Sequence, residues 1–322
     1  VGVVMKTNFH QSSKISSERL QFLNKRKNKP AMLKSFVTAF LFLLMSVLVV
    51  FAWQTNWWVF LLSQVGFGIM VCSVFAGLHE TAHGTAFKSR KLNRLFAFIF
   101  GVFHIYPSSV FREFHFAHHR FTHIPGKDPE ISLGDKPAPS VLSNLPMYFG
   151  WLSGFPLLFV KVLMLVTSAI GMPEFARKKL FPFINPKKRM ELFIESIFVL
   201  GVYSAILVLA IFVNTGFFAI VIGQIIGHLV LAFYLTLEHN GLPHEGDVLG
   251  KTRSFKTNGF VRWLMWNMPY HAEHHAYPSV PFHALSQLSK ELESELQHNQ
   301  DGIFSFHLKT IVRLASLKPE KN

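Results

Sequence analysis

Seventeen histidines stand in a chain of 322 residues, and eight of them fall in three short clusters. The first is His79-Glu80-Thr81-Ala82-His83, the second His115-Phe116-Ala117-His118-His119 and the third His271-Ala272-Glu273-His274-His275. Two HxxHH patterns would arise by chance in roughly one in a thousand chains of this composition, so the grouping needs a chemical reason. On a helix, positions i, i+3 and i+4 share one face. His79 and His83 therefore suit one ion; His115, His118 and His119 make a second ligand face, and His271, His274 and His275 a third. Imidazole suits zinc, copper, iron and nickel. Eight such rings are too many for one tetrahedral zinc but suit two metals with open positions. Glu80 and Glu273 are placed to accept the far N–H of a ligating ring and so to fix its tautomer.

What positions these clusters is a membrane. Half of the chain is hydrophobic and 16% is charged, where soluble domains carry about 25% charged residues; mean hydropathy is +0.31. Four uncharged apolar runs, 35–53, 57–78, 196–213 and 217–237, reach the roughly 17–25 residues that a spanning helix needs. Gln54-Thr55-Asn56 and Asn214-Thr215-Gly216 separate them into two tight hairpins. The net charge of +14 comes from Lys and Arg that avoid both hairpin tips. By the positive-inside rule both chain ends and the middle lie in the cytoplasm, and anionic headgroups account for the basic balance without a nucleic acid. The stretch 95–105 is too short to span, and 147–170 is interrupted by Gly154, Pro156 and Lys161, so both are read as interfacial or re-entrant. The fold expected is all-α: four transmembrane helices in two hairpins, with a cytoplasmic helical cap carrying the metal site. A basic segment 1–34 precedes a membrane domain 35–290, and an amphipathic, basic tail 291–322 follows. The start is not a cleaved signal peptide, because some thirty polar residues precede the first apolar run. Val1 or Met5 is the expected translated start; a GTG start codon written out as Val would account for the first and suggests a bacterial plasma membrane. The single cysteine, Cys72, excludes a disulfide framework or an iron–sulfur site.

With HxxxH, HxxHH and HxxHH in this order around two hairpins, the chain resembles the integral-membrane fatty acid desaturase superfamily. The resemblance covers roughly residues 35–290, most specifically at His79–Gly84 and Asn267–His275. It implies a histidine-rich centre of two iron ions that activates O2 with electrons from a separate ferredoxin or cytochrome partner. It also implies a ninth ligand near the end of the last span, the place His239 occupies, with a fatty acyl lipid as substrate. Desaturation is the activity expected; hydroxylation, ketolation and decarboxylation to a terminal alkene belong to the same superfamily. The first box departs from the HxxxxH of many acyl-CoA desaturases, which leaves acyl-lipid, acyl-carrier and free fatty acid substrates open.

Other residues read more plainly. His228, eleven positions before His239, lies about 16 Å deeper, so both cannot bind one ion; it lines a passage or bonds a neighbouring helix. His104 reads as a satisfied core side chain, His123 as a neighbour of the ligands, His244 as a loop residue, and His10, His283, His298 and His307 as surface or structural residues. Glu80, Glu238, Asn267 and Glu273 are the expected supports of the ligands, while Asp128 and Glu130, after the second box, are placed either to orient ligands or to cap a helix, the cap being the preferred reading. A membrane zinc hydrolase would need three ligands rather than eight, and a metal transporter would need polar groups along the spans.

Overall fold

In lipid only a helix satisfies the backbone of a continuous apolar run, and each of the four runs is helical. The computed structural model describes residues 15–317 and holds four helices long and apolar enough to cross a membrane; the chain is an integral membrane protein. His10 lies outside the described residues. In chain order come α1 (Ser17–Leu23), α2 (Asn28–Ala52), α3 (Trp57–His83), α4 (Arg90–Phe103), α5 (Ser108–Phe121), α6 (Leu145–Leu152), α7 (Phe155–Ala169) and α8 (Glu174–Lys179). They are followed by α9 (Arg189–Phe212), α10 (Phe218–His239), α11 (Gly259–Leu264), α12 (His271–Ala276), α13 (Leu285–Leu292) and α14 (Ile303–Ser316). The described residues depart from an all-α fold only in two strand pairs: β1 (Ser132–Leu133) runs antiparallel to β2 (Lys136–Pro137), and β3 (Ser254–Lys256) parallel to β4 (Asn299–Asp301).

Helix boundaries follow local chemistry. Asn56 caps α3 by accepting from the Val59 N–H, as a short polar side chain at an N-cap does. Helix α3 outlasts its apolar run and carries His79 and His83 before Gly84, at φ 73°, ends it in the left-handed conformation that glycine tolerates. Asn93 then pins the turn into α4 through the Gly84 and Phe87 carbonyls and the Phe87 N–H. Helix α2 begins at Asn28, earlier than its uncharged run, because Lys34 in its second turn is buried with its ammonium over the Trp263 ring.

Helix α3 is the centre of the bundle, packed against α2, α4 and α10. Helix α10 comes close through Gly223 and Gly227, one turn apart. A Cβ at Gly227 would stand 2.5 Å from that of Val71, and one at Gly223 would strike the Phe67 ring; small residues at this spacing let membrane helices approach closely. Helix α9 meets α10 chiefly around their turn and otherwise leans on α7, while Gln224 of α10 donates to Tyr203 of α9 at 2.9 Å.

The interrupted stretch is two helices, α6 and α7, bent by 54° where Gly154 takes φ 74°, and α4 and α5 meet at 100°. Helix α14, in the expected amphipathic tail, packs against α10 and α6. His307 of α14 donates from Nε2 to the Phe233 carbonyl at 2.9 Å, stacks on the Phe233 ring, and bonds the Tyr148 hydroxyl.

Candidate metal centre

The C-terminal ends of α3 and α10 bring His79, His83 and His239 to one end of the bundle, and α5 and α12 lay the other two boxes beside them. Two arginines hold those helix ends. Arg112 donates to the Ala82 carbonyl of α3, and Arg253 to the carbonyls of Leu237 and Asn240 at the end of α10. Each places a cation where helix carbonyls lack partners. At the other end of α5, the Glu195 carboxylate of α9 accepts from the Ser109 N–H and both serine hydroxyls at 108 and 109, a favourable place for an anion.

The nine rings form two adjoining groups. In the first, nitrogen atoms of His79, His83, His115, His119 and His274 lie within 4.8 Å of one another. Nε2 of His83 is 2.7 Å from that of His115, and Nε2 of His274 is 3.2 Å from those of both His83 and His119. The second joins His118, His239 and His275, with His271 Nε2 at 2.8 Å from His239 Nε2. The rings of His119 and His275 stack at 4.1 Å where the groups meet.

The boxes therefore do not map one to a face. His115 and His119 turn to the first group and His118 to the second; His274 goes to the first, His275 and His271 to the second. Consecutive helical residues point about 100° apart, so an HH pair on a helix between two sites divides between them.

The second group has the donor chemistry of a cation site. His118 Nδ1 donates to Asp128 at 3.0 Å, His239 Nδ1 to the Lys251 carbonyl at 3.0 Å, and His275 Nδ1 lies 3.3 Å from the Thr122 hydroxyl. Each ring thus spends Nδ1 on the protein and turns Nε2 inward, the arrangement seen around bound metals. Facing lone pairs repel unless a proton or cation lies among them. In the first group, both nitrogens of His79 and Nδ1 of His119 and His274 are buried with no hydrogen-bond partner among the described residues.

Charge follows burial. Desolvation and then the neighbouring rings push His115, His119, His271 and His275 well below the ordinary imidazole value, and burial with the nearby His118 brings His274 to about 3. Neutral imidazole is the form that ligates. His118 is the exception. Burial opposes its charge, but Asp128 and Glu130 outweigh burial and hold it up at about 9.

The carboxylates differ from the expectation. Glu80 accepts from the Thr85 hydroxyl at 2.6 Å and the Phe282 N–H at 3.2 Å, and Glu273 accepts from the Ser254 hydroxyl. Neither reaches a histidine ring, because each is turned to the segments packed behind its helix, Thr85 and Phe282 for Glu80 and Ser254 of β3 for Glu273. Asn267 donates to the Phe282 carbonyl at 2.9 Å. Only Glu238 of the four faces a ring, with Oε1 3.5 Å from His271 Nδ1. Asp128, read from the sequence as a helix cap, supports a ring and a turn together: it also accepts from the N–H groups of His123 and Glu130. Away from the centre, His104 and His228 are buried around Lys161, whose Nζ lies 2.6 and 3.3 Å from their Nε2 atoms.

A model of the fatty acid desaturase family matches residues 55–307, a span that holds all nine of these rings. The chain belongs to the fatty acid desaturase family. Among its relatives, a sphingolipid delta(4)-desaturase of Bos taurus is 26% identical over 68% of this chain and 61% of its own length. A sphingolipid delta(4)-desaturase/C4-monooxygenase of Rattus norvegicus is 27% identical over 65% of the chain and 58% of its own length. A delta(8)-fatty-acid desaturase of Euglena gracilis is 22% identical over 69% and 58%. This desaturase-family chain thus spans about three-fifths of the length of the curated relatives it matches. Those relatives are eukaryotic, and none supports the bacterial origin expected from Val1.

Proposed function

We propose that this protein is an O2-dependent membrane oxidase that introduces a C=C bond into a fatty acyl chain. The observation that carries this reading is the convergence of nine imidazoles in two adjoining groups at one end of an apolar bundle. His79, His83, His115, His119 and His274 would hold one iron ion, and His118, His239 and His275, with His271 beside them, the other. Bound there, two iron ions supply the reduction of O2 that removal of two alkyl hydrogens requires, with electrons from a separate ferredoxin- or cytochrome-type donor. The protein's own part is positional. Asp128, the Lys251 carbonyl and Thr122 fix the ring tautomers; Arg112, Arg253 and Glu195 fix the helices; the apolar bundle excludes water from the reacting carbons.

The excess of Lys and Arg outside the hairpin tips supports a cytoplasmic orientation for the box-bearing end. Hydroxylation is the second reading, supported by the C4-monooxygenase in the name of the rat relative. A zinc hydrolase fits less well, because eight box imidazoles exceed its usual three protein ligands.

Mass spectrometry of lipids from cells with and without the gene, fed a deuterated fatty acid, tests the reading. The expected product has lost two hydrogens from adjacent carbons. Gain of one oxygen would move the assignment to hydroxylation. A lipid profile unchanged by iron-loaded protein supplied with O2 and reductant would refute both.

A further inference from the structure

Beside the third histidine box lies a pocket of about 350 Å³ whose walls include Lys34, Arg262, Trp263, Trp266, Asn267 and Tyr270. Its chemistry is that of a donor cage. Lys34 is 6% exposed, and its ammonium has no hydrogen-bond partner among the described residues. It rests instead 3.5 Å over the Trp263 ring, a contact that softens burial of a cation without neutralising it. Trp266 is fully buried and likewise keeps an unpartnered Nε1–H. Arg262 adds a second cation, tethered to the Thr257 carbonyl, and among the described residues no carboxylate lines the pocket. A buried amine nitrogen with no acceptor among the described residues leaves hydrogen-bonding capacity that an anionic oxygen entering the pocket would satisfy.

The surroundings favour a lipid over a soluble anion. Lys34 lies in the second turn of α2, at the edge of a spanning helix, and its neighbours Leu33 and Phe36 are exposed, as is Phe260 across the pocket. The inner wall backs onto the histidines. Tyr270 precedes His271, and Asn267 holds the Phe282 carbonyl while the Phe282 N–H donates to Glu80, next to His79.

We propose that this pocket binds the anionic oxygen headgroup, phosphate or carboxylate, of the lipid substrate, with Lys34 as its charge partner. The inference rests on the acyl-lipid reading above, which it narrows to lipids with a charged head. Lys34 and Arg262 bind and orient; neither touches the reacting carbons.

The test is equilibrium binding to the metal-free, full-length protein in neutral detergent, so that it stands apart from turnover. Dioctanoyl phosphatidate, dioctanoylglycerol with the same chains but no charge, octanoate and inorganic phosphate are the probes. Phosphatidate is expected to bind at least about tenfold more tightly than dioctanoylglycerol, with octanoate and phosphate each weaker than phosphatidate for want of the remaining contacts. Lys34→Met should bring phosphatidate to the dioctanoylglycerol level and leave dioctanoylglycerol unchanged. Arg262→Gln should narrow the preference in the same direction, and it serves where Lys34→Met does not fold. Equal binding of the charged and neutral lipids, or a full preference in both variants, would overturn the proposal. Inorganic phosphate binding as tightly as phosphatidate would overturn the lipid assignment in favour of a soluble-anion site. A lipid profile without oxidised product, together with headgroup binding, would fault the oxidase reading and leave the pocket standing.

Discussion

Replacement of His274 by Ala is expected to leave a folded protein that retains one ion fewer and turns over no substrate. Nε2 of His274 stands equally close to those of His83 and His119, at 3.2 Å, and its ring is 4.6 Å from that of His79. It therefore touches three of the four other members of its group. Its Nδ1 bonds nothing among the described residues and its Nε2 meets only other rings of the group, so removing the ring breaks no hydrogen bond to the scaffold and acts chiefly on the ion. Metal analysis by plasma mass spectrometry, with lipid products measured on the same preparation, reads both effects. His298→Ala, at a half-buried ring outside both groups, should change neither. Turnover retained by iron-depleted His274→Ala would refute the assignment.

Asp128→Asn is expected to weaken metal binding in the second group by about 10–100-fold, the usual cost of losing a ligand's supporting partner. The buried carboxylate accepts from three N–H groups: His118 Nδ1 and the backbone of His123 and Glu130. Asparagine keeps the size but turns its NH2 against one of them, leaving a buried donor unmatched at a cost of about 1–3 kcal/mol. A pH signature separates this from a general loss of packing. In metal-free protein, burial opposes the His118 charge, yet Asp128 and Glu130 hold the ring up at about 9, above its unfolded value of about 6.5. That stabilisation is fully present below the unfolded value and is lost as pH rises through about 9. Thermal melts of the metal-free wild type should fall across that alkaline window, and those of Asp128→Asn should be flatter. Parallel melting curves would contradict the role given to Asp128.

These residues also mark what could be read in advance. The spans were legible because bilayer thickness leaves few alternatives for twenty uncharged apolar residues, and the boxes because i, i+4 spacing is a property of the helix itself. How the boxes divide was not legible. Whether His118 and His119 serve one ion or two depends on what α12 places on either side of α5, and no local spacing carries that. For Asp128 the preference for a cap over ligand support had a similar cause: an Asp after a helix usually binds nearby N–H groups, and it does so here while also reaching the His118 ring. Glu80 and Glu273 failed as ring supports because the segments packed behind each helix offered closer donors. The packing of α10 on α3, by contrast, has a signal in the sequence, the Gly223-x-x-x-Gly227 spacing.

The most direct test of the account is the metal content of purified wild-type protein, measured with its need for O2 and a reductant. Two iron ions per chain, both lost in step with activity under a chelator, are the predicted result. One tightly held zinc per chain, with activity independent of O2 and electrons, would contradict the account.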